Sequence, residues 1–205
     1  VSAGNPILGY ATDNALLPKV LFMVILAPVI EEYIFRKQLI DRMHIYGEKL
    51  AVITSALMFG LFHGNLSQLF YAFTLGLVFG YVYLKTGKLR YSIGLHMLIN
   101  LIGSVIGPLF LEKIAVLDTM ETLDLAALEP IMPWLIGFGA YVVVLIGLAI
   151  AGLVLLCINK RRVSFAPSEM ELPKGSRFTT VYVNVGMILL AVGCTALIVA
   201  SVIPL

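Results

Sequence analysis

Six apolar runs, each close to the length a helix needs to cross a bilayer, leave this chain few folds to choose from. They cover about 17–38, 49–65, 67–85, 91–111, 131–157 and 180–203, joined by polar connections at 39–48, near Gly64-Asn65, and at 86–90, 112–130 and 158–179. Inside lipid every backbone N–H and C=O must find a partner within the protein, so only helices and closed barrels can span. Runs this long, without strict alternation, read as helices. The expected fold is therefore all-α, a polytopic transmembrane helical bundle of about six spans. With 60% hydrophobic and 13% charged residues and a mean hydropathy of +0.99, the chain has a membrane protein's composition. Its 205 residues hold six spans and leave no room for a separate soluble domain.

The distribution of cations sets the expected topology. Arg36, Lys37, Arg42, Lys49, Lys85, Lys88, Arg90, Lys160, Arg161, Arg162, Lys174 and Arg177 flank one side, whereas only Lys19 and Lys113 flank the other. Cytoplasmic flanks are enriched in Lys and Arg, so 39–48, 86–90 and 158–179 are assigned to the cytoplasm. The expected organisation has four parts. Residues 1–16 form a non-cytoplasmic segment, and 17–111 a four-span core. Residues 112–130 form an acidic non-cytoplasmic loop, with Glu112, Asp118, Glu121, Asp124 and Glu129, read as a solvated face. Residues 131–205 supply two more spans joined by a basic cytoplasmic loop, which is expected to fix topology and touch anionic lipid.

A net charge of +2 without a long basic block argues against nucleic acid as a partner. Cys157 and Cys194 both fall within apolar runs, which implies neither a disulfide framework nor a thiolate metal site. The chain starts at Val1 with no basic n-region and cleavage site, so no signal peptide is visible, and preceding spans are expected to be missing.

Against this apolar background, Glu31 and Glu32 stand side by side within the first run. A carboxylate at bilayer depth costs about 2.5–3.5 kcal/mol on insertion scales, so the pair must face protein or water. Glu32 and Arg36 are four residues apart with the acid N-terminal, the favourable orientation for a helical pair. Glu31 points about 100° away and has no local partner. A second motif, Phe59-Gly60-Leu61-Phe62-His63, sets an aromatic ring and a histidine on one helix face, and Gly60 would let another helix approach closely. Glu31 and His63 are equidistant in sequence from Gly47, so a helical hairpin turning there brings them level. A third, His96-Met97-Leu98-Ile99-Asn100, directs two polar side chains the same way from consecutive turns. Gly94, Gly103 and Gly107 nearby would allow tight packing.

A carboxylate and an imidazole can hold and deprotonate a water molecule, while a second imidazole and a carboxamide can donate to a developing oxyanion. Together they suit hydrolysis of a peptide bond without a covalent intermediate. No nucleophile elbow is present, and Ser55, Ser92 and Ser104 have no motif around them. One Glu and two His could bind zinc, although the His-Glu-x-x-His signature is absent.

The three motifs in order resemble those of the CAAX-processing and bacteriocin-processing intramembrane proteases, which include the type II CAAX prenyl endopeptidases: Glu-Glu-x-x-x-Arg, Phe-x-x-x-His and His-x-x-x-Asn. The resemblance covers roughly residues 16 to 111. It implies a metal-independent glutamate protease without a cofactor, in the cell membrane of a prokaryote, acting on a membrane-associated peptide or protein. In that reading Glu31 is the general base and His63 helps to activate water. His96 and Asn100 form the oxyanion hole, Glu32 and Arg36 support the site, and Phe59 shapes it. Members commonly have about eight spans, so six here imply absent N-terminal helices and a family-variable final pair. Two other functions fit the same residues: a non-catalytic membrane scaffold or chaperone of this fold, and a proton-coupled transporter. No inverted repeat supports the latter.

Overall fold

The computed structural model describes residues 16–115, 117, 128–168 and 170–203. Residues 1–15, and most of the acidic loop with Asp118, Glu121 and Asp124, lie outside the described residues. Among those described there is no strand. The chain forms α1 over 16–46, α2 Glu48–Phe62, α3 Leu66–Thr86, α4 Leu89–Ile114, α5 Glu129–Arg162, α6 Arg177–Tyr182 and α7 Val185–Val202. Four of these, α3, α4, α5 and α7, are long and apolar enough to cross a membrane. α2 has only 15 residues, and α1 carries Glu31, Glu32, Arg36 and Lys37 within its apolar stretch.

α1 is continuous but not uniform. Helical turns of α type at Leu16–Pro18, Ala27–Glu32 and Asp41–Met43 alternate with π-helical stretches at Lys19–Leu26 and Tyr33–Ile40. α4 contains a third such stretch at Leu101–Ile106. Two of the three have a visible cause. A proline ring crowds the carbonyl four residues before it, and for Pro28 and Pro108 those carbonyls belong to Val24 and Ser104, inside the widened turns. Each π stretch also offers a carbonyl to a neighbouring helix. Asn100 Nδ2 donates to Met23 O at 2.8 Å, Ser55 Oγ to Phe35 O at 2.7 Å, and Tyr141 Oη to Ile102 O at 3.0 Å. In lipid such bonds join helices where apolar contact alone gives little preference over lipid tails.

The hairpin at Gly47 forms as expected. The helix runs through Asp41–Met43, ends in a tight turn at His44–Tyr46, and reverses at Gly47 with φ +130°, a conformation that a side chain would strain. α2 and α3 form the most extensive helix pair. At Gly76 a Cβ would lie 2.9 Å from Ala56 Cα and 3.1 Å from its Cβ, so only glycine lets the backbones meet. Gly76→Ala is expected to cost about 1–3 kcal/mol by overpacking, read as a lowered melting temperature in detergent. Gly94→Ala, where nothing lies within 4 Å, is expected to leave it unchanged or higher. The open surroundings of Gly94 and Gly103 correct the expectation of tight packing there; of the three α4 glycines only Gly107 faces a neighbour, Tyr141 Oη at 3.1 Å. Asn65, the head of a glycosylation-like triplet, caps α3 by accepting from the Gln68 N–H at 2.8 Å.

Among the described residues the buried core lies in α1–α4, apart from Ile131 of α5 and Cys194 of α7. α5 buries none of its residues among Met132–Asn159 and meets α4 through Phe110, which packs against Trp134, Phe138 and Tyr141. α7 rests on α2 and α3, and Tyr182 of α6 shares a 2.7 Å hydrogen bond with buried Thr54. The basic connection also packs against the α1–α2 turn. Its Leu172 N–H donates to Tyr46 O at 3.2 Å, Ser168 Oγ to Ile45 O, and Ala166 N–H to Glu48 Oε2 at 2.6 Å. The first two bonds satisfy carbonyls that the end of α1 leaves open. Burial pushes the Glu48 carboxyl up, but hydrogen bonds from Lys85 and the Ala166 N–H together hold it below the usual carboxylate range.

Candidate active site

The two glutamates part company by one helical step. Glu32 is fully buried and takes a forked pair of bonds from Arg36, Nε to Oε2 at 2.9 Å and Nη2 to Oε1 at 3.2 Å. The i,i+4 pair expected from spacing is therefore present, and it is dry. Burying such a pair is tolerable only when the remaining donors and lone pairs are used. Here they are: Arg36 Nη1 donates to Ser55 Oγ at 2.8 Å, and the guanidinium lies over the Phe59 ring at 4.8 Å and near Phe79 at 5.9 Å.

His96 reaches the same carboxylate from α4, with Nδ1 at 3.1 Å from Glu32 Oε1. An ionised carboxylate only accepts, so Nδ1 carries the proton. That bond turns Nε2 toward Glu31, whose Oε2 lies 3.8 Å away. The ring is held flat by Phe79, stacked at 5.3 Å, and edge-on by Phe59 at 5.5 Å.

Glu31 is different. Its Oε2 is buried and has no hydrogen-bond partner within the described chain, while the side chain as a whole keeps 19% of its exposure. A carboxylate oxygen withdrawn from water and left unsatisfied is costly, and it is suited to hold a water or a substrate group. His63, at the end of α2, donates from Nδ1 to Phe59 O at 2.8 Å. The carbonyl can only accept, so the proton sits on Nδ1 and Nε2 keeps a lone pair. His63 lies within electrostatic range of Glu31, and its ring meets Phe59 edge-on at 4.9 Å. Phe59 thus touches both histidines and Arg36.

The structure brings Glu31, Glu32, Arg36, Phe59, His63 and His96 into one cluster. Asn100 is on the same side of α4, but its amide is engaged with the Met23 carbonyl of α1, which leaves one N–H for anything else. Two members were not legible as site residues. Ser55 lacks a motif, yet Ser55, Phe59 and His63 are spaced by four along one face of α2, and that stripe was the available signal. Phe79 has only its place in the buried face of α3 with Ala72, Gly76 and Tyr83, a pattern that reports packing alone. Among the described residues no three His, Cys, Asp or Glu side chains are gathered closely enough to hold a metal ion.

Residues 13–102 match a family model described as type II CAAX prenyl endopeptidase Rce1-like. The membrane-embedded CAAX protease MroQ of Staphylococcus aureus (strain USA300) is 31% identical over 104 residues, which is 46% of this chain and 42% of that protein. The chain thus spans less than half the length of this curated relative. No solved structure matches. The matched stretch contains all three motifs.

Proposed function

From a stretch, residues 13–102, that matches the CAAX prenyl endopeptidase family, we propose that this integral membrane protein is an intramembrane endopeptidase. It cleaves a peptide bond of a membrane-associated peptide or protein, in the cell membrane of a prokaryote, without a cofactor. The observation that carries this reading is the unpartnered Oε2 of Glu31 beside His96. A water seated there gives one proton to Glu31 while its other O–H stays intact and donates a hydrogen bond to the Nε2 lone pair of His63. The water oxygen bonds to the scissile carbonyl carbon, and the carbonyl π electrons move onto its oxygen. His96, which takes a second proton from solvent onto Nε2 as substrate seats, and the remaining Asn100 N–H donate to that oxyanion. With that proton, Glu31, Glu32, Arg36 and His96 sum to zero charge. Collapse breaks the C–N bond, and the proton on Glu31 passes to the leaving amine.

The test compares membranes holding wild type and Asn100→Ala, with cleaved peptides identified and timed by mass spectrometry. Loss of an oxyanion donor lowers turnover by about 10²–10³-fold, and a chelator leaves the wild-type rate unchanged. An Asn100→Ala enzyme at full rate removes Asn100 from the oxyanion hole. Chelator inactivation reversed by zinc transfers the reaction to the metalloproteases. A chain that cleaves nothing, yet still serves its host with Glu31 and His63 replaced, is a scaffold.

A further inference from the structure

Ser55 lies outside all three motifs, yet its hydroxyl is the junction between α2 and the charged pair of α1. It is fully buried. Its O–H donates to the Phe35 carbonyl at 2.7 Å, and its oxygen accepts from Arg36 Nη1 at 2.8 Å. A hydroxyl has one hydrogen and two lone pairs, so a single atom here satisfies a π-helical carbonyl and the free arm of a guanidinium. The line continues without a gap. Arg36 Nη2 donates to Glu32 Oε1 at 3.2 Å, and the same oxygen receives His96 Nδ1 at 3.1 Å.

We propose that Ser55 is a positioning residue: through Arg36 and Glu32 it fixes the ring orientation and tautomer of His96. The inference rests on the protease reading for its meaning in catalysis, but not for its geometry. Phe59 and Phe79 confine the guanidinium on two sides, so the in-plane rotation of its fork is set by its hydrogen bonds. Without the hydroxyl, Nη1 and Phe35 O both lose their partner in a dry site. The fork turns to recover one, and it carries Glu32 Oε1 away from Nδ1. The groups against His96 are Glu31 and Glu32 from α1, Phe59 from α2 and Phe79 from α3, with Arg36 behind Glu32 and His63 behind Phe59. Of these, only Glu32 holds Nδ1.

The chain has three histidines, so ¹⁵N-histidine labelling gives three ring systems, with His96 assigned from its loss in His96→Gln. In wild type the His96 nitrogens are expected at the values of a single Nδ1–H form. In Ser55→Ala they move toward averaged tautomers while His63 stays put, and kcat falls by up to about 10²-fold with KM nearly unchanged. Ser55→Thr, which keeps the hydroxyl, restores both. Should the alanine variant fail to fold, Ser55→Cys, a weaker donor in similar space, is read instead and lies between wild type and full loss. Unmoved His96 signals in the folded alanine or cysteine variant overturn the proposal, whatever the rate, as does a threonine variant that behaves like alanine. A wild type that cleaves no peptide while Ser55→Ala still shifts His96 leaves the positioning intact and removes the protease reading.

Discussion

Glu31→Gln is expected to lower peptide cleavage by about 10²–10⁴-fold, the usual worth of a general base, and to do so without loosening the protein. The two outcomes have one origin. Among the described residues Glu31 Oε2 is buried with no partner, so the carboxylate carries a desolvation cost that no protein group there offsets. Exchanging it for a neutral amide of the same shape removes the base and that cost together. The measurement pairs timed mass spectrometry of peptides from membranes with thermal unfolding in detergent. Glu31→Gln should melt no lower than wild type while the wild-type products disappear. Wild-type turnover in this variant would end the mechanism. A sharp fall in melting temperature would mean that Glu31 holds the bundle rather than working within it.

The converse is expected at Arg36. Breaking a buried ion pair by removing one partner costs about 3–5 kcal/mol, because the other charge is left behind. In Arg36→Met, Glu32 remains at 0% exposure with His96 Nδ1 as its one charged or polar contact of those present. Ser55 also loses the donor it accepts from. The variant should unfold well before wild type in a detergent melt followed by helical ellipticity. The double variant Glu32→Gln, Arg36→Met should recover a substantial part of the loss, since replacing both members of a buried pair is often close to neutral. Activity should not return, because His96 has lost the carboxylate that orients it. A single variant as stable as wild type would show that the pair is not desolvated.

These opposite signatures divide the glutamates as their spacing implied. The i,i+4 rule pairs Glu32 with Arg36 and leaves Glu31 over, and that much followed from three letters of sequence. The hairpin at Gly47 followed from equal arms. Those equal arms also require helix to continue past the apolar run through Asp41-Arg42-Met43, as it does. Apolar run lengths placed α2 to α5 within five residues at each end; α1 runs on to 46, past the run ending at 38, and the final run breaks at Tyr182, with α7 starting only at Val185.

Contacts between helices were less legible. Glu31 was expected level with His63, which does lie within electrostatic range of it; the spacing gave no sign that His96 Nε2 also comes within 3.8 Å, or that His63 is tied to its own helix through Phe59 O. Asn100 was expected to donate to the oxyanion, and its spacing gave no sign that one of its N–H groups holds Met23 O. Ser55 and Phe79 carried no motif at all. The reason is geometric. A period of 3.6 residues tells which side chains share a face, but each π turn takes in an extra residue and rotates all that follows relative to what precedes it. α1 has two such stretches around the glutamates, and α4 has one directly after Asn100. By itself the sequence determined an all-helical bundle apolar enough for lipid and a set of polar residues too costly there to be idle. Only the tertiary structure decided which nitrogen meets which oxygen, because helix rotation and depth are set by the π stretches and by backbone contacts such as Gly76 on Ala56, which no one-dimensional period records.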